Sequence, residues 1–334
     1  MNDFRLFLHT SNQIETLAEM LSDLMRRRKE TDPLQTRSVM VHSSGMGRWL
    51  SLQLAGRSGI CFNIDFPFPR DVVERILKVL LPEAEEASWF TQETMLWSVF
   101  RHLGDLRRDT RFDAIVHYLA DGDLLKRLQL ADRLAYLFDQ YLVYRPELLL
   151  KWEAEPEPQD WQAILWKKLV ADAPGKMHLA HVWKRLEEGS FALSEEDRKK
   201  LPTEIYIFGI SSLSPLFLRI LRAYSLFGEV HLFLLQPTEL YWGDLKSKRE
   251  QARLQAEDEE LDPIEEGHPL LASLGRQGRD FLNLLIDHGF QPFVGGERFY
   301  YSESDSLLGT LQKDIAQLEQ REDFERIQVD PNDR

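Results

Sequence analysis

The sequence is short of cysteine, of long hydrophobic runs and of positive charge. Its 334 residues include one cysteine, Cys61, which excludes an internal disulfide and a cysteine-based metal cluster and indicates a reducing compartment. The longest apolar stretch, IYIFGISSLSPLFLRIL, contains Pro215 and Arg219 and is unsuited to span a membrane. No secretory signal is predicted, because Asp3 and Arg5 interrupt the first apolar run. We therefore expect a cytoplasmic protein that makes no membrane contact.

Acidic residues outnumber basic ones, 55 to 41, and the formal net charge is −14. Lysines and arginines that displace counterions drive sequence-independent binding to duplex DNA, so this balance argues against DNA binding over the whole surface. The length and the 43% hydrophobic content are typical of a globular chain with about two domains.

The stretch SVMVHSSGMGRWL has the form of a phosphate-binding loop, with an apolar strand, a small-residue turn and the start of a helix. The side chains that bind phosphate and magnesium are missing, because Arg48 and Trp49 stand where such a loop has a lysine and a hydroxyl. After the strand EIYIF, where a nucleotide hydrolase holds magnesium, the sequence offers Gly209 and Ile210. The sequence therefore predicts no functional ATP site.

Other catalytic motifs are also missing, since there is no HExxH and no GxSxG. His178 and His181 are three residues apart and could share a helix face as metal ligands, but no third ligand is close in sequence. We predict no catalytic residue and no metal site.

Hydrophobic periodicity predicts a parallel sheet interrupted by a helical insertion. Strand and helix patterns alternate up to residue 69 and resume near residue 200, whereas residues 70–199 contain only helical patterns. We expect an α/β domain formed by 1–69 and 200–322 and an all-helical insertion at 70–199, with 323–334 a truncated linker. The detailed predictions are strands at 5–11, 38–44, 203–211 and 229–237, an extended segment at 59–69, a last strand at 298–302, an acidic linker at 255–267, and helices at 268–289 and 306–321.

Two stretches have the residue types that bind unpaired DNA. In FNIDFPFPRD, two prolines fix an extended backbone that carries Phe66 and Phe68 past a strand end, where the rings could stack on bases. In LAYLFDQYLVYRPELL, the residues Tyr136, Asp139 and Gln140 share one helix face. Packing explains both stretches as well, because the rings could fill the core and the polar face could bind a neighbouring helix.

Six phrases identify a family resemblance: VHSSGMGRWL, NIDFPFP, LFDQYLVYRP, IFGISSLSP, ELYWGD and HPLLASLGRQGRDF occur in this order. The chain resembles the amino-terminal part of the RecC family, the gamma subunits of exodeoxyribonuclease V. The resemblance implies a superfamily 1 helicase-like fold without a working ATP site, in which the α/β part corresponds to domain 1A and the insertion to domain 1B.

The resemblance also implies a non-catalytic subunit of the RecBCD helicase and nuclease, in double-strand break repair and homologous recombination. Such a subunit assembles with RecB and RecD, which use ATP and magnesium, while this chain needs no cofactor. It binds forked and single-stranded DNA, splits the duplex, guides the strands to the motors and scans one strand for the Chi sequence. The complex, and not this chain, is the ATP-dependent exonuclease.

By the family motif, the residues that face the scanned strand are Phe68, Tyr136, Leu137, Asp139 and Arg145, and helical spacing adds Gln140. Three positions depart from the family pattern: Tyr136 replaces an acid, Glu74 an aromatic residue and Leu179 a basic one. We therefore expect strand guidance, without recognition of the same Chi sequence. Two alternatives remain, an active ATP-dependent helicase or nuclease subunit and a scaffold that does not contact DNA.

Overall fold

A computed structural model of the chain describes residues 4–27, 36–106, 109–189, 191, 193–246, 250, 268–301 and 306–319. The predicted acidic linker and the carboxy-terminal tail lie outside these residues. Contacts divide the chain into a first unit, Met1–Val72, Pro202–Leu213 and Tyr224–Arg334, and a second unit, Val73–Leu201 and Ser214–Ala223. The correspondence of the two parts to helicase domains stays a prediction.

The first unit contains a six-stranded sheet in the order β3-β2-β4-β5-β1-β6, and every described pair of neighbouring strands is parallel. This confirms the predicted parallel sheet flanked by helices. The strands are β1 Leu6–Ser11, β2 Arg37–Val41, β3 Ile64–Asp65, β4 Glu204–Phe208, β5 Glu229–Leu235 and β6 Gln291–Glu297. The α-helices are α1 Ile14–Arg27, α2 Ser44–Ser58, α3 Pro69–Leu80, α4 Gln92–His102, α5 Asp113–Tyr118, α6 Leu124–Tyr144, α7 Pro146–Ala154, α8 Trp161–Asp172, α9 Leu179–Glu188, α10 Glu195–Lys200, α11 Pro215–Tyr224, α12 Pro269–Leu274, α13 Arg276–Asp287 and α14 Leu307–Gln317.

Helices α1 and α2 cover one face of the sheet. The apolar residues of α1 recur at helical spacing, so that Leu17 and Leu21 are fully buried against the strands. On the sheet side, Val41, Phe208 and Phe233 belong to the same cluster. Burial of these side chains, at about 25 cal/mol per Å² of apolar surface, is the main force that holds the helices on the sheet.

The last strand is not where the sequence pattern placed it. We predicted a strand at 298–302, but the strand is Gln291–Glu297, and the described residues 298–301 are not in a strand. The segment QPFVGGE contains a proline and two glycines, which have low strand propensity. Pairing with β1 overrides that propensity at the edge of the sheet.

The helix predicted at 268–289 is two helices, because the chain turns at Gly275. The Gly275 N–H donates to the Leu271 carbonyl, and a Cβ atom at this position would lie 2.4 Å from that oxygen and 2.9 Å from Trp242. Trp242 is buried and donates its indole N–H to Gln236 at 2.6 Å. The phrases ELYWGD and HPLLASLGRQGRDF therefore form one packed corner around Trp242.

The second unit has its own hydrophobic core. Among its described residues every regular element is helical, as predicted for 70–199. Helix α6 begins at the cap residue Asp123, whose carboxylate accepts from Leu125 N–H at 2.8 Å, and ends before Pro146. Its buried stripe includes Leu134, Phe138 and Leu142, which pack in a cluster with α4, α7 and α8. Among the described helices, none combines the length and apolar composition that crossing a bilayer requires.

Candidate functional site

Two backbone N–H groups at the turn between β2 and α2 donate hydrogen bonds within the start of the helix. Ser43 caps α2, and its hydroxyl accepts from Met46 N–H at 3.2 Å while its carbonyl accepts from Gly47 N–H at 3.1 Å. A phosphate-binding loop presents such N–H groups to the ligand instead. The turn is thus a regular capped helix start that follows the strand after two residues.

Gly47 has a packing role in this turn. A Cβ atom on Gly47 would lie 3.0 Å from Cβ of Phe66, so the glycine permits close contact between α2 and the NIDFPFP segment. Gly45 has only the Ser43 hydroxyl near it, at 3.8 Å. Of the two glycines that give this turn its likeness to a phosphate loop, Gly47 is thus needed for packing against an aromatic residue.

A cavity of about 470 Å³ lies beyond the carboxyl ends of β1 and β5, where open parallel sheets commonly bind ligands. None of the described side chains that line it carries a formal charge, so the lining offers neither a carboxylate for magnesium nor a cation for phosphate. The lining residues are Asn12, Gln13, Pro237, Tyr300, Tyr301, Gln312, Ile315 and Ala316.

Phe66 and Phe68 have different surroundings, although one motif contains both. Phe66 is half-buried against Gly47, whereas Phe68 is 46% exposed. The Phe68 carbonyl accepts from Asp71 N–H at 3.1 Å and from Val72 N–H at 3.3 Å, which fixes its backbone at the start of α3. Phe68 thus presents an aromatic ring from a rigid position in the first unit.

The other five predicted residues lie together on α6 or at its end, in the second unit. Tyr136 is 41% exposed, Arg145 is exposed, and the other three side chains are half-buried. The opposite side of α6 is the buried stripe that contains Phe138. We call the set Tyr136, Leu137, Asp139, Gln140 and Arg145 the α6 surface.

Two further exposed residues extend the α6 surface, and the sequence reasoning missed both. The guanidinium of Arg133 lies over the Tyr136 ring, 5.3 Å from its centroid, and Tyr144 is 60% exposed. Arg133 precedes Tyr136 by three residues and Tyr144 follows Gln140 by four, so helical spacing could have found them. The surface therefore has two aromatic rings and one arginine on α6, and a second arginine at the residue that follows the helix.

The backbone of Arg145 is fixed while its side chain is exposed. Its N–H donates to the Tyr141 carbonyl at 2.9 Å and its carbonyl accepts from Leu148 N–H at 3.1 Å, so the residue joins α6 to α7. The Arg145 guanidinium forms no ion pair with any residue that the structure describes. A cation held in this way is available to a phosphate.

Asp139 and Gln140 form the polar centre of the α6 surface. Burial raises the pKa of the Asp139 carboxyl, and a hydrogen bond from the Gln140 amide at 3.5 Å partly offsets that effect. Carboxylate and amide groups can both bond to the edges of bases. Contact of the six predicted residues with DNA nevertheless stays a prediction.

The two remaining departures from the family pattern lie elsewhere on the described surface. Glu74 is an exposed residue of α3, and Leu179 is a half-buried residue at the start of α9 that packs against the core of the second unit. Where the resemblance implies an aromatic ring and a cation, the structure thus has an exposed acid and an apolar packing residue.

Comparison with known proteins gives one consistent result. A family model described as "RecC, N-terminal domain" matches residues 6–318. RecBCD enzyme subunit RecC of Escherichia coli (strain K12) is 33% identical over 350 residues, which cover 95% of this chain and 31% of that protein. The proteins of the same name from Haemophilus influenzae and Mycolicibacterium smegmatis are 31% and 30% identical, over 98% and 93% of this chain. The chain spans about a third of the length of these curated relatives.

Proposed function

The chain belongs to the RecC family, of which it contains the amino-terminal domain, and we propose that it acts in a RecBCD-type complex as a non-catalytic guide for DNA. In this proposal the fold is a superfamily 1 helicase fold without a working ATP site. The complex contains RecB and RecD, splits forked duplex DNA and repairs double-strand breaks by homologous recombination. The chain guides a single strand to a motor and scans it, although the sequence that it reads need not be Chi.

The observation that carries the proposal is the exposed side of α6. Base stacking needs accessible aromatic rings, and Tyr136 and Tyr144 are accessible on a helix whose other side is firmly packed. Phosphates need cations, and Arg133 and Arg145 are exposed on the same unit. A strip of this kind can bind a single strand while the rest of the protein carries a formal charge of −14.

Three features support the absence of ATP hydrolysis. The β2–α2 turn uses two of its N–H donors in its own cap, and Arg48 stands where a phosphate loop has its lysine. After β4 the chain continues with Gly209 and Ile210 and offers no carboxylate for magnesium. ATP and magnesium are therefore proposed to act only in the partner subunits.

Binding to single-stranded DNA tests the role of the α6 surface. In the full-length subunit assembled with its partners, Arg145→Ala is expected to weaken binding about 3- to 10-fold and to reduce the salt dependence by about one counterion, because one phosphate contact is lost. The measurement is fluorescence anisotropy with a labelled oligonucleotide at several salt concentrations.

Lys184→Ala is the matched control, since Lys184 is an exposed cation on α9 of the same unit. The control is expected to bind DNA as the parent does. Equal affinity and equal salt dependence in all three proteins would favour the scaffold that makes no DNA contact through this surface.

A further inference from the structure

Two histidines and a glutamate from separate helices converge in the second unit. Glu153 lies near the end of α7, His178 caps the start of α9 and His181 is in its first turn. The Nε2 atom of His178 is 2.7 Å from one carboxylate oxygen of Glu153, and Nε2 of His181 is 3.0 Å from the other. The fold thus supplies the third group that the sequence around the histidines lacked.

Surrounding residues hold this cluster in place. The indole N–H of Trp166 donates to Glu153 at 2.8 Å, and the rings of Phe90 and Trp166 pack edge-on against His178. His178 is fully buried, whereas the side chain of His181 is 38% exposed. The cluster therefore has a rigid inner wall and a side open to solvent, the arrangement that ion entry requires.

We propose that Glu153, His178 and His181 bind one Zn²⁺ ion and so link α7 to α9. Imidazole nitrogen and carboxylate oxygen are zinc ligands, and two histidines with one glutamate leave the fourth tetrahedral position to water. With metal–ligand bonds of about 2.0–2.1 Å, tetrahedral ligand atoms are about 3.3 Å apart. The observed separations of 2.7 and 3.0 Å therefore need to open by about 0.6 and 0.3 Å, respectively.

One side chain has to move for the ion to bind. The two imidazole rings are stacked, with centroids 4.0 Å apart and planes 22° apart, and both Nε2 atoms face the Glu153 carboxylate. His181 is partly exposed and is free to turn its ring toward the ion, whereas His178 is fixed by its aromatic neighbours. Zinc binding exchanges two hydrogen bonds to Glu153 for three metal–ligand bonds, and each imidazole then carries its single proton on Nδ1.

The test is a zinc titration of the 334-residue chain after removal of metals with a chelator. We expect one ion per chain by isothermal titration calorimetry, a higher melting temperature with zinc, and the visible absorption of tetrahedral Co²⁺ when cobalt replaces zinc. His181→Ala and Glu153→Gln are each expected to weaken zinc binding at least 10-fold and to abolish the rise in melting temperature.

His117→Ala is the control, because His117 is exposed on α5 of the same unit. This variant should bind zinc as the parent does. Circular dichroism checks that the variants fold, and if Glu153→Gln does not fold, the half-exposed His181→Ala decides. Absence of saturable binding in the parent chain, or unchanged affinity in a folded His181→Ala variant, would overturn the proposal.

Discussion

Replacing Phe138 with alanine is expected to lower the free energy of unfolding by about 3–5 kcal/mol, the usual cost of removing a buried aromatic ring and leaving a cavity. Phe138 is fully buried in α6, and its ring centroid lies 5.5 Å from that of Trp166 in the core of the second unit. The change in the free energy of unfolding is measured by denaturant unfolding monitored with circular dichroism.

Tyr136→Ala is the matched control, since the same helix carries Tyr136 two residues earlier on its exposed side. This change is expected to alter stability by less than about 0.5 kcal/mol. The difference between the two variants separates the structural side of α6 from the side that we assign to DNA. Similar losses in both would mean that the α6 surface is part of the core.

Stability is expected to fall as the pH decreases below about 6.5, because His9 cannot accept a proton in the folded state. Burial in the sheet, together with the nearby His231, lowers the pKa of His9 from 6.5 to about 3. Nε2 of His9 is 3.1 Å from Nδ1 of His231, whose own Nε2 is 3.3 Å from the Glu229 carboxylate.

The direction of the effect follows from where protons bind. Between pH 6.5 and about 3 the unfolded chain protonates His9 and the folded chain does not, so acid favours unfolding across this window. For one group with this shift, the free energy of unfolding is lower by about 2 kcal/mol at pH 5. Above pH 6.5 both states hold a neutral His9, and this contribution no longer changes with pH.

The measurement is denaturant unfolding at several pH values between 7 and 5. His9→Gln keeps a hydrogen-bonding side chain but does not titrate, so its stability should fall about 2 kcal/mol less than that of the parent over this range. His117→Gln, at an exposed position, should follow the parent. Parallel curves for His9→Gln and the parent would show that His9 is not the group responsible.

Elements with strong periodicity could be predicted from the sequence. The strands EIYIF and EVHLFLL are mostly apolar and are buried on both faces, and α6 follows a clear apolar stripe between Asp123 and Pro146. These local signals agree with the packing of the folded chain. Periodicity therefore gave the α/β fold and the helical segment correctly.

Features that depend on long-range contacts could not be predicted in this way. Strand β6 contains Pro292 and two glycines and exists because β1 pairs with it. The glycines of the β2–α2 turn resemble a phosphate loop, but Gly47 is explained by Phe66, nineteen residues away. No local pattern indicates such partners.

The candidate site also has features that the sequence predicts and features that depend on long-range packing. Spacing alone placed Tyr136, Asp139 and Gln140 on one face of a helix, and that placement is found. Whether the face would be buried or exposed depends on how α6 packs, which the sequence left open. In the same way, Glu153 joins His178 only through the packing of α7 against α9.

Photo-crosslinking tests most directly whether this chain guides a single strand. Tyr136 is replaced with the photoreactive residue p-benzoylphenylalanine in the full-length subunit, assembled with its partners on a forked DNA labelled on each strand in turn. Tyr118, an aromatic residue of α5 that is 49% exposed, receives the same replacement as a control. We predict crosslinks from position 136 to one single strand and none from position 118. Equal labelling from the two positions, or crosslinks from position 136 to protein alone, would contradict the account.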